Sequence, residues 1–340
     1  MSGSALALWL ASLQLAGAGV LGLAALVDRL ARDRSAATRR GLWALAITLA
    51  ATLPVARLLL PAPTLALSEE LALALLGLWS SGALLLGLRW LHGIAATSRL
   101  IAASTPIAGG PWHHSLSRLD AAAGSVELRL SVELRLSKDV EGPVLAGALR
   151  PIILIPAQLG VPPAAARRAI LTHELAHLAR ADNLLLHLGV LVRAIYWITP
   201  LAWASLRHLR EAAEVAADDA VLEAGATPTS YAAQLVASAR AQLDERGVRV
   251  AAGQLRARVE AILDGDRRRA PIDRRSPSLA LARLLGAAVL LASLVTACEA
   301  RSDDGPAPAS SALAVPEATA AGGEREVRVD HALVEERPRP

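Results

Sequence analysis

A mainly α-helical membrane protein, with four membrane-spanning helices and one polar domain between the third and fourth, is the fold class this sequence predicts. Three observations predict it. Hydrophobic residues form 54% of the 340-residue chain and charged residues only 19%, with a mean hydropathy of +0.40. The apolar residues gather into blocks near both ends, as expected when lipid rather than a folded core covers them. Arginines cluster beside those blocks, the pattern that orients a chain in a membrane.

The first block, Ala5–Val27, is long enough to cross a hydrocarbon core of about 30 Å. Its charge follows it instead of preceding it, which argues against a cleaved leader. The next loop, Asp28–Arg40, carries Arg29, Arg32, Arg34, Arg39 and Arg40 and is expected on the cytoplasmic side, leaving the N-terminus outside. A second block, Gly41–Leu60, is interrupted by Pro54 and Arg57. A third, Leu71–Leu88, follows Glu69 and Glu70 and precedes Arg89 and Arg99, which return the chain to the cytoplasm. The expected organisation is three spans over 1–92, a cytoplasmic domain over 93–277, a fourth span over 278–298 and an outside tail without a fold of its own over 299–340.

Within the polar domain, Val-Glu-Leu-Arg-Leu-Ser occurs twice in tandem, at Val126–Ser131 and Val132–Ser137. Its alternation predicts strand, with Val and Leu on one face and Glu, Arg and Ser on the other. A slip that lengthens a hairpin is the plainer origin of the repeat. Pro143–Pro156 predicts two short strands joined at Gly147–Pro151. Pro162 and Pro163 open a helix expected to run unbroken from Ala164 to about Ile198. Pro200 ends it, and a second helix runs from about Leu201 to Ala224, stopped by Gly225. Trp197 and Trp203 suggest that the tip of this hairpin touches the membrane interface. A last amphipathic stretch ends near Leu263. The cluster Arg267, Arg268, Arg269, Arg274 and Arg275 then precedes the fourth apolar block, Leu279–Ala297, with Arg283 near its start.

Composition also limits the chemistry. With one cysteine, Cys298, neither a disulfide framework nor a cysteine-rich metal site can form within the chain. A metal would be held by histidines and carboxylates. The formal charge is +4, and Lys138 is the only lysine. Arginines beside apolar blocks favour anionic lipid headgroups. Direct nucleic-acid binding is not expected, because no basic stripe is interleaved with aromatics.

The chemically telling segment is His173-Glu174-Leu175-Ala176-His177. On a helix, positions i and i+4 share a face, so two imidazoles can grip one zinc ion. Glu174 projects from the flank, within reach of an attacking water, as zinc-dependent peptide hydrolysis requires. Such a site needs a third protein ligand. The second helix offers Glu211 and Glu214, with Asp218 one turn beyond Glu214. The expectation is Glu214 as ligand and Asp218 as the acceptor that orients a ligand histidine. The other reading is a solvated acidic face paired with Arg207 and Arg210. His187 and His208 are expected to be interfacial histidines, and Arg180 and Asp182 to form a bridge between helices.

The run His173–Asn183 (HELAHLARADN), the strand pair ending Arg150–Pro156 (RPIILIP), and Glu214–Leu222 (EVAADDAVL) together resemble the BlaR/MecR-type membrane metalloproteases. The resemblance covers roughly residues 1–298. It implies a gluzincin-like zinc protease domain, helical with a small β-sheet, with His173, His177 and Glu214 on Zn2+ and Glu174 as base. It further implies a multi-pass protein of the bacterial inner membrane that cleaves a protein substrate near the bilayer, such as a winged-helix repressor. Ala217 stands where the family often has Cys. Members that sense β-lactams carry a large penicillin-binding domain with a Ser-x-x-Lys nucleophile after the fourth span. Here 42 residues follow that span and no lysine lies among them, so that function is not carried over.

Val295-Thr296-Ala297-Cys298 resembles a lipoprotein processing box, which makes Cys298 a candidate for lipidation. A lone cysteine at the end of a span is the plainer reading. Two other functions stay open: a quality-control membrane protease like the HtpX group, and a signalling scaffold whose zinc is structural.

Overall fold

The computed structural model describes residues 2–30, 34–58, 67–123, 132–147, 150–246 and 249–269. The expected fourth span, the tail, Cys298 and the first copy of the tandem lie outside them. Three long helices come first: α1 (Gly3–Leu30), α2 (Ala36–Leu58) and α3 (Glu69–Ala103). The hydroxyl of Ser68 accepts the Leu71 amide at 3.4 Å, and Glu69 and Glu70 in the first turn complement the dipole of α3.

Among the described residues, α1 and α3 are each long and apolar enough to cross a membrane. The expected second span forms α2, interrupted by Pro54 and Arg57, and is not among the helices that meet that measure. Two of the arginines expected in the cytoplasmic loop are paired within the protein. Arg39 grips Asp28 through two bonds of 2.7 and 2.8 Å, and Arg40 grips Asp182.

The polar half begins with β1 (Thr105–Pro106) and α4 (Gly110–Ala123), followed by β2 (Glu133–Ser137), β3 (Val144–Ala146) and β4 (Ile152–Pro156). The sheet order is β1-β2-β4-β3, with β2 and β4 parallel and the outer pairs antiparallel. The second tandem copy is therefore a central strand between β1 and β4. Its Leu134 packs with Ile153, Ile155, Trp112, Leu171 and Leu175 in a core between the sheet and the helices behind it. Its other face is covered too, where Arg135 bonds to the hydroxyl and carbonyl of Ser104 at the end of α3. The β3–β4 hairpin lies where its turn residues place it, with Gly147 at φ 78°. β3 is an edge strand.

The helices that follow are α5 (Ala164–Ala179), α6 (Asp182–Ile195), α7 (Pro200–Glu223), α8 (Pro228–Arg246) and α9 (Arg249–Leu263). The single helix expected over 164–198 is broken. Ala181 takes the left-handed conformation, φ 51° and ψ 36°, and α6 departs from α5 by 55°. No glycine or proline marks the break. Its cause is tertiary: Arg40 of α2 donates to the Arg180 carbonyl and to the Asp182 carboxylate, giving partners to groups at the broken turn.

The bend sends the α6–α7 hairpin into the bundle of α1, α2 and α3. Tyr196, Val192, Ala202 and Leu209 join Leu13, Leu21, Trp43, Ile47 and Leu53 in one apolar core. Apolar surroundings require each backbone polar group at the hairpin tip to find a partner. Gln14 and Trp79 both donate to the Ile195 carbonyl, at 2.9 and 3.0 Å, and Thr199 donates its amide to the Tyr196 carbonyl. Trp197 was expected at a membrane interface. It packs against Gly82 of α3 and donates to the Trp79 carbonyl at 3.1 Å, while Trp203, expected there with it, is 45% exposed.

Gly17 of α1 admits the Tyr196 ring, whose atoms would lie 2.2 Å from an added Cβ. The Tyr196 hydroxyl then reaches the Ala50 carbonyl at 2.9 Å. Gly17→Leu is expected to unseat the hairpin and lower stability by about 1–3 kcal/mol. Thermal unfolding in detergent measures this, and an unchanged midpoint would contradict the packing.

Candidate metal centre

Helix α5 places His173 and His177 one turn apart, their Nε2 atoms 3.2 Å from each other. Helix α7 runs beneath and brings Glu214 to the same point. Its carboxylate oxygens lie 3.6 Å from His173 Nε2 and 3.8 Å from His177 Nε2. A tetrahedral ion with bonds near 2.0–2.1 Å separates its ligand atoms by roughly 3.3 Å. The three side chains thus have the spacing and the donor set that a zinc ion takes, and they form the one such group among the described residues.

The far side of each ring explains its orientation. His173 Nδ1 lies 3.2 Å from Asp218, and His177 Nδ1 lies 2.8 Å from Asp182. Both carboxylates are almost fully buried, at 1% and 2% side-chain exposure. Each Nδ1–H donates outward to a carboxylate, so the Nε2 lone pairs turn toward one another. Facing lone pairs repel unless a cation, metal or proton, stands between them.

The electrostatics agree. Burial pulls the His173 ring down, but its bonds to Asp218 and Glu214 overcome this and raise it to about 9. Burial pushes Glu214 up, yet the His173 bond and the Arg258 charge hold it at about 2. Asp218 sits well below the ordinary carboxylate range, its burial outweighed by Arg258 and His173. Burial raises Glu174 above the ordinary value, partly offset by the charges of His173 and His177. The Leu145 backbone favours its ionised form. An edge strand thus touches the candidate base.

Asp182, expected only to form a bridge between helices, also faces His177, and two further residues at this centre escaped the sequence reading. Tyr231 of α8 donates to Asp218 at 2.8 Å and lies 3.3 Å from His173 Nδ1. Arg258 of α9 forks onto both oxygens of Asp218, at 2.7 and 2.8 Å, and reaches Glu214 at 3.0 Å. Neither stands at a motif spacing from the histidines. Only the packing of α8 and α9 against α5 and α7, around Ala169, Val221, Tyr231, Ala232 and Ile262, brings them here.

Other candidates lie elsewhere. His187 accepts from Trp90 at 3.1 Å, and His208 stacks on Trp43 with ring centres 5.1 Å apart. Glu211 faces Arg207 and His208. Arg267 and Arg269, expected beside lipid, pair with Asp219 at 3.0 and 3.8 Å. The centre opens on a cavity of about 1120 Å³, lined also by Val144 and Leu145 of β3 and Gln234 of α8.

Comparison with known proteins bears on this arrangement. The family model described as BlaR1 peptidase M56 matches residues 60–262, from the approach to α3 through α9. The Regulatory protein BlaR1 of Bacillus licheniformis is similar, 30% identical over 99 residues. That alignment covers 28% of this chain and 16% of the relative, so most of the relative's length has no counterpart in it.

A proton on His173 competes with any metal below about pH 9. Apparent zinc affinity is therefore expected to rise as pH rises toward 9, by about tenfold per unit, and then to flatten. Titration calorimetry in two buffers should detect close to one proton released per ion at neutral pH. Zinc affinity independent of pH would be the contrary result.

Proposed function

Because the chain belongs to the BlaR1 peptidase M56 family, we propose that it is a membrane-anchored zinc endopeptidase that cleaves a cytoplasmic protein, such as a transcriptional repressor. One observation carries the reading: His173, His177 and Glu214 converge at the wall of an open cavity, beside a buried Glu174 and an edge strand. Zinc held there would supply Lewis acidity, polarising a scissile carbonyl and making a water more acidic.

The side chains divide the remaining work. Glu174 takes the proton of the attacking water, and its raised affinity for protons, set by burial, suits it to return that proton to the leaving amine. Asp218 and Asp182 keep both imidazoles turned inward. β3 has one unpaired edge, on which an extended substrate can add as a further strand. Val144, 42% exposed, stands at that edge.

Topology supports a cytoplasmic site in a multi-pass protein of the bacterial inner membrane. Arg40, near the start of α2, and the candidate metal centre lie on the same side of the bundle, joined by the pair of Arg40 with Asp182. With α2 and the fourth apolar block counted as further spans, the reading is four spans around a gluzincin-like domain. The open cavity argues against a scaffold with structural zinc, since structural sites are closed by four protein ligands.

Glu174→Gln is expected to keep one zinc per chain and to lose at least about 10²-fold in cleavage rate. Metal content and cleavage are read on the same preparation in lipid nanodiscs. Full activity in this variant would remove the assignment. Mass spectrometry of cleaved proteins in cells distinguishes a single regulatory substrate from many unfolded membrane proteins.

A further inference from the structure

The oxygen of Asp182 that does not face His177 is held by a side chain from the membrane bundle. Arg40, near the start of α2, donates through Nε to that oxygen and through Nη2 to the carbonyl of Arg180. Arg40 and Asp182 are 6% and 2% exposed at their side chains, so water does not substitute for either. Arg180 also approaches Asp182, at 3.4 Å, but from the oxygen that His177 uses. Without Arg40, Asp182 would be drawn toward Arg180 and away from the imidazole. The left-handed Ala181, between the two atoms that Arg40 grips, would lose what holds it.

We propose that Arg40 is a positioning residue for the metal ligand His177, acting through Asp182, so that zinc affinity depends on how α2 is seated against α6. The inference rests on the zinc reading above. The path is short and continuous: α2, Arg40, Asp182, His177, metal. Helix α2 also packs along α7, which carries Glu214, and α7 shares the apolar core of the bundle through Leu209 and Ala202. A displacement of α2, whatever drives it, must break a buried fork before it moves, and that break reaches a ligand directly. The neighbouring pair Arg39–Asp28 joins α2 to α1 and contacts neither ligand, which makes it the natural control.

The test measures zinc dissociation constants of the full chain in detergent, stripped of metal and titrated against a chromophoric chelator. Arg40→Met is expected to weaken zinc roughly 10- to 100-fold, while Arg39→Gln leaves the constant unchanged. Asp182→Asn should weaken zinc as well, and the double variant Arg40→Met with Asp182→Asn should be no weaker than Asp182→Asn alone, because both act along one path. Arg40→Lys keeps the charge but cannot span both acceptors, and a loss of at least about threefold is expected. That variant decides the matter if the methionine variant loses its circular dichroism. Wild-type affinity in a folded Arg40→Met or in Arg40→Lys, or losses that multiply in the double variant, would overturn the proposal. A wild-type chain that takes up no zinc sinks the metal reading itself, and this inference with it.

Discussion

Two buried carboxylates, Asp218 and Asp182, impose the orientation on which the centre depends. Each accepts from the Nδ1 of one imidazole, which leaves the two Nε2 lone pairs aimed at a common point. Glu214 adds a third negative group to that point. The site is thereby charged for a cation before any arrives. Its own counter-charges are Arg258, held over Asp218 and Glu214, and Arg40, held over Asp182. Buried carboxylates without such partners would be too costly to keep ionised, so the arginines are as much a condition of the site as the histidines.

Those two arginines come from opposite directions. Arg258 belongs to α9, the last described helix of the polar half, and Arg40 to α2, in the membrane bundle. The candidate metal centre sits at the seam between the two halves. The α6–α7 hairpin makes that seam continuous, because its tip is packed inside the bundle while the far end of α7 carries Glu214 and Asp218. Every carbonyl donated to at the tip is served by a side chain of another helix or by the turn itself. This is how an irregular turn is tolerated in apolar surroundings.

How much was legible beforehand follows the range of the interactions. The i,i+4 spacing of His173 and His177 is local, and any helix delivers it. The stop at Gly225 and the turn at Gly147 follow from positive φ, which glycine adopts without strain. The step from Glu214 to Asp218 is again one helical turn. By contrast, the break at Ala181 carries no glycine or proline, since Arg40, some 140 residues earlier, stabilises it from outside the segment. Tyr231 and Arg258 carry no motif because their positions depend only on which face of α8 and α9 meets α7. The pairing of Arg39, Arg40, Arg267 and Arg269 with aspartates was not legible for one reason: a cluster of charge near an apolar block reads the same whether its partner is a phosphate or an aspartate.

By itself the sequence determined the helical, membrane-associated character of the chain, the short strands, and the pairing of two histidines with a glutamate on one helix. These depend on periodicity, composition and turn chemistry, which are properties of neighbouring residues. Only the tertiary structure decided that α5 and α6 part at Ala181, that the hairpin enters the bundle, and that Arg40 and Arg258 clamp the acceptors behind the histidines. Each of those outcomes is a contact between residues distant in the chain, made because buried charge and buried backbone must find partners wherever the fold provides them.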